Sequence, residues 1–215
     1  LAYNVEIVTA LIKALSLEDV IIAGHSYGAS IALGLAVQDL PQVRGYILIS
    51  PLALPKGGLP LFSRIISIPV TGRGLIRAIK GFYLPTVVNS DLSSSFIPET
   101  VPADYYDKRI DLFFQTKAIV SSAIETTSMN RDIGAIAEQY LTIQKPVLII
   151  HGQEDKQILP HLSNDLDTLL PNSRLVFLND AGHMMMYPFA KKDYKEKKNT
   201  EKIRELIDDF VLAGE

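Results

Sequence analysis

The feature that most limits how this chain can fold is the passage over residues 20–40, VIIAGHSYGASIALGLAVQDL. In it, four consecutive apolar residues run into Gly24-His25-Ser26-Tyr27-Gly28 and then into a stretch of small and apolar residues ended by Pro41. An uninterrupted apolar run bounded by glycine offers no polar face to water, which is the pattern of a buried strand in a parallel sheet. The stretch after Gly28 reads as a helix closed by the proline. Between them the chain must turn sharply from strand to helix. A serine at such a turn is held out at the C-terminal edge of the sheet, with a glycine two residues to either side relieving the crowding. Residues 20–37 carry no formal charge, yet a membrane span is rejected because Gly, His, Ser and Tyr interrupt the run at its middle.

The rest of the chain repeats the alternation. Val5, Ile7, Val8, Leu11, Ile12 and Leu15 recur at helical spacing and predict an amphipathic helix ending near Leu17. Further strands are expected at residues 43–50 (VRGYILIS), 146–150 (PVLII) and 174–178 (RLVFL), with a helix at 162–170 between the last two. Ile203, Leu206, Ile207, Phe210 and Val211 form a helical stripe after the solvated, lysine-rich KKDYKEKK. Strands alternating with helices imply an α/β fold with a mostly parallel sheet. From Pro51 to about Gln144 the strand signal fades into Pro/Gly punctuation and helical patches such as DLFFQTKAIVSSAIE, over a span too long for a simple connection. We read residues 52–144 as an inserted helical cap on a core made of residues 1–51 and 145–215. The serine run Ser93, Ser94, Ser95 is taken as a loop.

Gly-x-Ser-x-Gly alone arises by chance in about one protein of this size in ten. Its weight here comes from two residues much later in the chain. Asp155 lies just past the third strand in HGQED, and His183 just past the fourth in NDAGH, so both fall at the same sheet edge as Ser26. Reacting groups in open α/β sheets gather there. A serine hydroxyl becomes a nucleophile beside a general base, and the base needs a carboxylate to orient it. Glu154 and Asp180 are the rival acids. Of the other histidines, His25, His151 and His161 read as structural. Tyr105, Tyr106, Phe113 and Phe114 fit either an acyl pocket or core, with core favoured, and Met184, Met185 and Met186 read as core packing beside the base.

Together these segments resemble the α/β-hydrolase superfamily: GHSYGA is similar to its nucleophile elbow, PVLIIHGQEDKQI to its acid strand and loop, and LNDAGHMMMYP to its histidine loop. The resemblance implies a three-layer α/β-hydrolase core with an inserted cap, and a triad of Ser26, Asp155 and His183 hydrolysing carboxylic esters through an acyl-enzyme. It also implies an oxyanion hole built from the Tyr27 backbone N–H and a second donor on a loop after an earlier strand. No such loop precedes Ser26, and His151-Gly152 belongs to the acid strand. The expectation is therefore a chain whose N-terminal strands are absent. A carbon–carbon bond hydrolase, a cofactor-free perhydrolase and a catalytically incompetent fragment or ligand-binding relative stay open on the same scaffold. Serine in place of aspartate argues against an epoxide hydrolase or haloalkane dehalogenase.

Composition narrows the rest. With no cysteine among its 215 residues, the chain excludes a disulfide scaffold, a thiolate zinc site and a cysteine nucleophile. A net charge of -3, with lysines gathered near the C-terminus, disfavours nucleic acid as a partner. No histidine spacing suits zinc, so neither metal nor cofactor is expected. The expected partner is a small-molecule ester, the expected location cytoplasmic, and the oligomeric state is left open.

Overall fold

A computed structural model of the chain describes residues 1–55, 61–79, 84–102, 105, 115–187 and 197–213. Its centre is a sheet of four parallel strands in chain order, β1 (Val20–His25), β2 (Val43–Ile49), β3 (Val147–Gly152) and β4 (Ser173–Leu178). The register pairs His25 with Ile49, Ile49 with Ile150, and Gly152 with Leu178, so the four strands end at one edge, with β3 and β4 running two residues further than β1 and β2.

Alternation along the strands sends side chains to two faces. Tyr46, Leu48, Val147 and Ile149 join the cluster that holds α2 (Tyr27–Gln38) and α7 (His161–Leu169), the latter through Leu166. Ile47, Ile49, Leu148 and Ile150 face the opposite way, onto Ile203 and Leu206 of α8 (Lys197–Leu212). The result is three layers. Both faces of β2 and β3 are covered, which is why these strands read as continuous apolar runs. Strand β1 differs from the buried strand expected: it is half-buried along most of its length, with β2 as its strand partner among the described residues.

Helix α1 (Ala2–Ala14) stops earlier than its pattern suggested, with Leu15 as its C-cap. Its apolar positions divide. Val5 and Ile12 are buried against α2, whereas Ile7, Leu11 and Leu15 are exposed beside Tyr3, so the helix carries two apolar rows and buries one.

Between β2 and β3 the described elements are helical: α3 (Leu61–Ile66), α4 (Pro69–Ile79), α5 (Leu84–Phe96) and α6 (Thr116–Ala137), followed by a 3-10 turn at Tyr140–Thr142. Ile66, Ile76 and Val120 form a small apolar centre for α3, α4 and α6. The far half of α6 instead sends Met129 and Ile133 into the main core. The serine run at 93–95 lies inside α5 rather than in a loop. The Ser94 and Ser95 hydroxyls donate to the Asp91 carbonyl one turn back (2.9 and 2.8 Å), satisfying within the helix the groups that usually draw serine into turns. Among the described residues no helix is long and apolar enough to cross a membrane.

Candidate active site

Ser26 sits between the last residue of β1 and the first of α2, with φ 53° and ψ -116°. A positive φ on a non-glycine residue costs about 1–3 kcal/mol and persists only where the surroundings hold it. Here β2 and the segment that leaves it hold it from both sides: the Ser26 N–H donates to the Ile49 carbonyl (2.9 Å), and the Ser26 carbonyl accepts from the Leu52 N–H (3.3 Å). The Leu52 carbonyl in turn accepts from the Ser30 hydroxyl of α2. The two flanking glycines are not equivalent. A Cβ on Gly24 would collide with the Gly28 carbonyl oxygen, because the turn folds α2 back over the strand end, while a Cβ on Gly28 would meet open space. The steric demand falls on Gly24 and the conformational strain on Ser26 itself.

The other two predicted residues converge on it. His183 Nε2 lies 3.0 Å from the Ser26 Oγ, and His183 Nδ1 lies 2.9 Å from the Asp155 Oδ2. An ionised carboxylate only accepts, so Nδ1 carries the proton and Nε2 is left to accept from the serine hydroxyl. The Asp155 Oδ1 accepts from the backbone N–H groups of Gln157 and Ile158, both at 2.8 Å. Burial pushes the Asp155 carboxyl up. Hydrogen bonds from His151 and His183, the charge that His183 can carry and the Ile158 N–H pull it down by more, and it ends well below the usual carboxylate range. Asp155 is thus a fixed anion at neutral pH. Neither rival acid pairs with His183: Asp180 is exposed, and Glu154 engages the loop before His183 through its backbone N–H, which donates to the Ala181 carbonyl.

The flanking histidines are in hydrogen-bonded positions, as expected, but both reach the site. His25 donates through Nε2 to the His183 backbone carbonyl (2.8 Å), its ring 4.9 Å from the His183 ring. Burial and then the neighbouring His183 lower the His25 pKa against the pull of that bond, keeping the ring neutral. His151 is fully buried, with Nε2 3.3 Å from the Asp155 Oδ2. Tyr27 opens α2, so its N–H belongs to the first turn, where helical N–H groups lack an intrahelical partner. Its phenol accepts from the Asn4 side-chain amide of α1 (2.8 Å), anchoring the ring away from the turn.

Helix α5 grips both loops. The Gln157 amide, two residues past Asp155, donates to Ser94 Oγ (2.6 Å) and to Asp91 Oδ1 (3.1 Å). The Met184 N–H, next to His183, donates to the Ser95 carbonyl (3.1 Å), and Gly182 sits so close to the Ile97 carbonyl that no side chain would fit. Tyr105 is core rather than open wall, stacked edge-on with Phe96 and Tyr187 at 5.0 and 5.1 Å. Tyr106, Phe113 and Phe114 lie outside the described residues. Met185 is buried as expected, while Met184 and Met186 are only partly so. The α5 contacts carry no sequence signal, since they join residues separated by 63 positions or more in chain order. The His151 contact carries a faint one, its four-residue separation from Asp155.

A family model described as the alpha/beta hydrolase family matches residues 2–193. The chain is 26% identical over 192 residues to the 2-hydroxy-6-oxononadienedioate/2-hydroxy-6-oxononatrienedioate hydrolase 2 of Pseudomonas putida, an alignment covering 87% of this chain and 64% of that one. It is 21% identical over 186 residues to Lipase 3 of Moraxella sp. (strain TA144), covering 81% and 54%. The chain thus spans less than two thirds of the length of either relative. Among solved structures, a serine hydrolase from the polyaromatic hydrocarbon-degrading bacterium Cycloclasticus zankles superposes with a TM-score of 0.69 at 16% identity, covering 95% of this chain and 69% of that one.

Proposed function

The chain belongs to the alpha/beta hydrolase family, and within it we propose a serine hydrolase that cleaves carboxylic esters with Ser26 as nucleophile, His183 as general base and Asp155 as its orienting acid. The observation that carries this reading is the continuous relay from Ser26 Oγ to His183 Nε2 (3.0 Å) and from His183 Nδ1 to Asp155 Oδ2 (2.9 Å).

In this mechanism the Ser26 Oγ attacks the ester carbonyl carbon as His183 Nε2 takes the hydroxyl proton, and Asp155 stabilises the imidazolium that forms. The negative charge developing on the carbonyl oxygen is met by the Tyr27 backbone N–H at the start of α2, where the helix dipole also favours an anion. Collapse breaks the carbon–oxygen bond to the alcohol, which leaves with the proton from His183. Water, deprotonated by the same nitrogen, then releases the acid and restores Ser26. In this reading the described helices between β2 and β3 act as a cap, with α5 set against the loops that carry Asp155 and His183. The lipase relative supports an ester as substrate.

A second reading has its own support. The Pseudomonas putida relative is named for hydrolysis of a dienedioate, in which a serine-dependent site would cleave a carbon–carbon bond. The experiment for both is labelling with a fluorophosphonate, followed by turnover of p-nitrophenyl esters of increasing chain length and of a vinylogous 1,5-diketone acid. We expect Ser26 to be labelled and ester turnover to vanish in Ser26→Ala. Diketone turnover without ester turnover selects the second reading, and an unlabelled Ser26 in the folded protein refutes both.

A further inference from the structure

We propose that His151 is a positioning residue of the site, a second imidazole on the acid that sets how strongly Asp155 holds His183. The inference rests on the triad reading and concerns a histidine that takes no part in the proton transfer.

The geometry is a closed ring of contacts. His151 ends β3 beside Gly152, and its side chain is wholly buried. The Nε2 of His151 lies 2.9 Å from the Ile158 carbonyl oxygen, which only accepts, so this nitrogen carries the proton. The same N–H faces the Asp155 Oδ2 at 3.3 Å and is shared between the two oxygens. Ile158 closes the ring from the other side, its N–H donating to the Asp155 Oδ1 at 2.8 Å. On the far edge of the imidazole, Nδ1 accepts from the Ser163 hydroxyl of α7 at 2.6 Å, which keeps the proton on Nε2.

A buried histidine satisfied by Ser163 and Ile158 alone would be a core residue with no link to chemistry. The approach to Oδ2 is what adds the link, because that same oxygen accepts from His183 Nδ1. Two N–H groups therefore compete for one carboxylate oxygen. Each donor lowers the charge that the oxygen can offer the other, and hydrogen bonds to charged groups are strong enough for the competition to be measurable. Removing the His151 donor leaves Asp155 more basic toward His183, stabilises the imidazolium and moves the acidic limb of the activity profile to higher pH. The other groups near the base are His25 behind its carbonyl, Glu154 on the acid loop, and Glu99 three residues past α5, which lines a small cavity with Gly182 and Met184. Glu154 and Glu99 are common to all the variants and cancel in the comparison, while His25, which also feels His151, stays lowered first by burial and then by His183, and both of these remain.

The test uses His151→Asn, His151→Leu and His151→Gln in the whole protein. The Asn amide reaches Ser163 but is too short for Oδ2; Leu has no donor; Gln places an N–H where Nε2 was. We expect the acidic limb of kcat/KM for a p-nitrophenyl ester to rise by about one pH unit in the Asn and Leu variants and to return to within about 0.3 of wild type in Gln. The proton resonance of the His183 Nδ1–H, read by NMR, should move downfield in the same two variants as its bond to Asp155 shortens. A resonance and a limb that stay at the wild-type position in a folded Asn variant overturn the proposal, as does a Gln variant that behaves like Leu. The resonance reports the contact whether or not an ester is turned over. Wild-type turnover that survives in Ser26→Ala therefore refutes the triad reading alone, and an unmoved resonance refutes the His151 proposal alone.

Discussion

Replacing Asp155 with asparagine tests the site most directly, because the surroundings dictate how the new amide must sit. The carboxylate accepts on Oδ1 from two backbone N–H groups at 2.8 Å and faces His183 and His151 with Oδ2. If the amide nitrogen took the Oδ1 position, it would confront two immovable donors, at about 1–3 kcal/mol for each group left unpaired. The amide oxygen therefore keeps the Oδ1 site and the NH2 faces the histidines. His183 answers by accepting at Nδ1, which moves its proton to Nε2 and aims a donor at the Ser26 Oγ. A ring in that tautomer cannot take the serine proton. The analogous substitution in a serine protease triad lowers turnover about 10⁴-fold, which corresponds to about 5 kcal/mol of transition-state stabilisation. His151 cannot make the same adjustment, since moving its proton would leave Nε2 facing the Ile158 carbonyl at 2.9 Å with no hydrogen between them. A stability loss of about 1–3 kcal/mol should accompany the kinetic one. Stopped-flow hydrolysis of p-nitrophenyl acetate measures the first and urea unfolding the second. A folded Asp155→Asn variant within tenfold of wild-type turnover, in a protein whose Ser26→Ala variant is inactive, would refute the assignment of Asp155 as the acid.

Other outcomes rest on the same contacts. Gly24→Ala should cost at least 1–3 kcal/mol in urea unfolding by forcing apart the strand end and the Gly28 carbonyl, while Gly28→Ala should stay within about 0.5 kcal/mol of wild type. Because the folded-state pKa of Asp155 is depressed, its contribution to stability is present above the ordinary carboxylate range and is lost as pH falls through the folded value. Urea midpoints should accordingly drop more steeply below about pH 4 for wild type than for Asp155→Asn. Tyr140→Phe removes the buried hydroxyl that donates to the Ala53 carbonyl at 2.6 Å and should lower stability by about 1–3 kcal/mol with kcat unchanged. Leu206→Ala, at the contact between α8 and the sheet, should cost about 2–5 kcal/mol by the same measurement.

The elements that sequence reasoning identified are those in which one local pattern decides the outcome. Strands β2 and β3 are covered on both faces, so their apolar runs admit no other placement, and Ser26, Asp155 and His183 come closely enough after strand ends to share an edge. What the sequence did not disclose depends on partners far along the chain. The two apolar rows of α1 look like one amphipathic face until the core is seen to take Val5 and Ile12, with Val8 partly covered, and to leave Ile7, Leu11 and Leu15 exposed. Ser93, Ser94 and Ser95 look like a loop because serine propensity is set by competing backbone bonds, and in α5 those bonds run back along the helix. Gly24 and Gly28 look alike in the motif, and only the path of α2 shows that a side chain would collide at Gly24 and not at Gly28. The His151 contact needs the loop after β3 to fold back on the strand it leaves, which no periodicity encodes.

The grip of α5 on two loops at once has a consequence for how the protein fails under heat. Gln157, two residues past Asp155, and Met184, next to His183, are fastened to neighbouring residues of a single helix, Ser94 and Ser95. Local opening of a protein proceeds in contiguous units at free energies below that of global unfolding. Detachment of α5 would therefore unfasten both loops in one event, with the parallel strands beneath still hydrogen-bonded. Thermal inactivation should then run ahead of the loss of far-ultraviolet circular dichroism, and cooling before the sheet melts should bring the activity back.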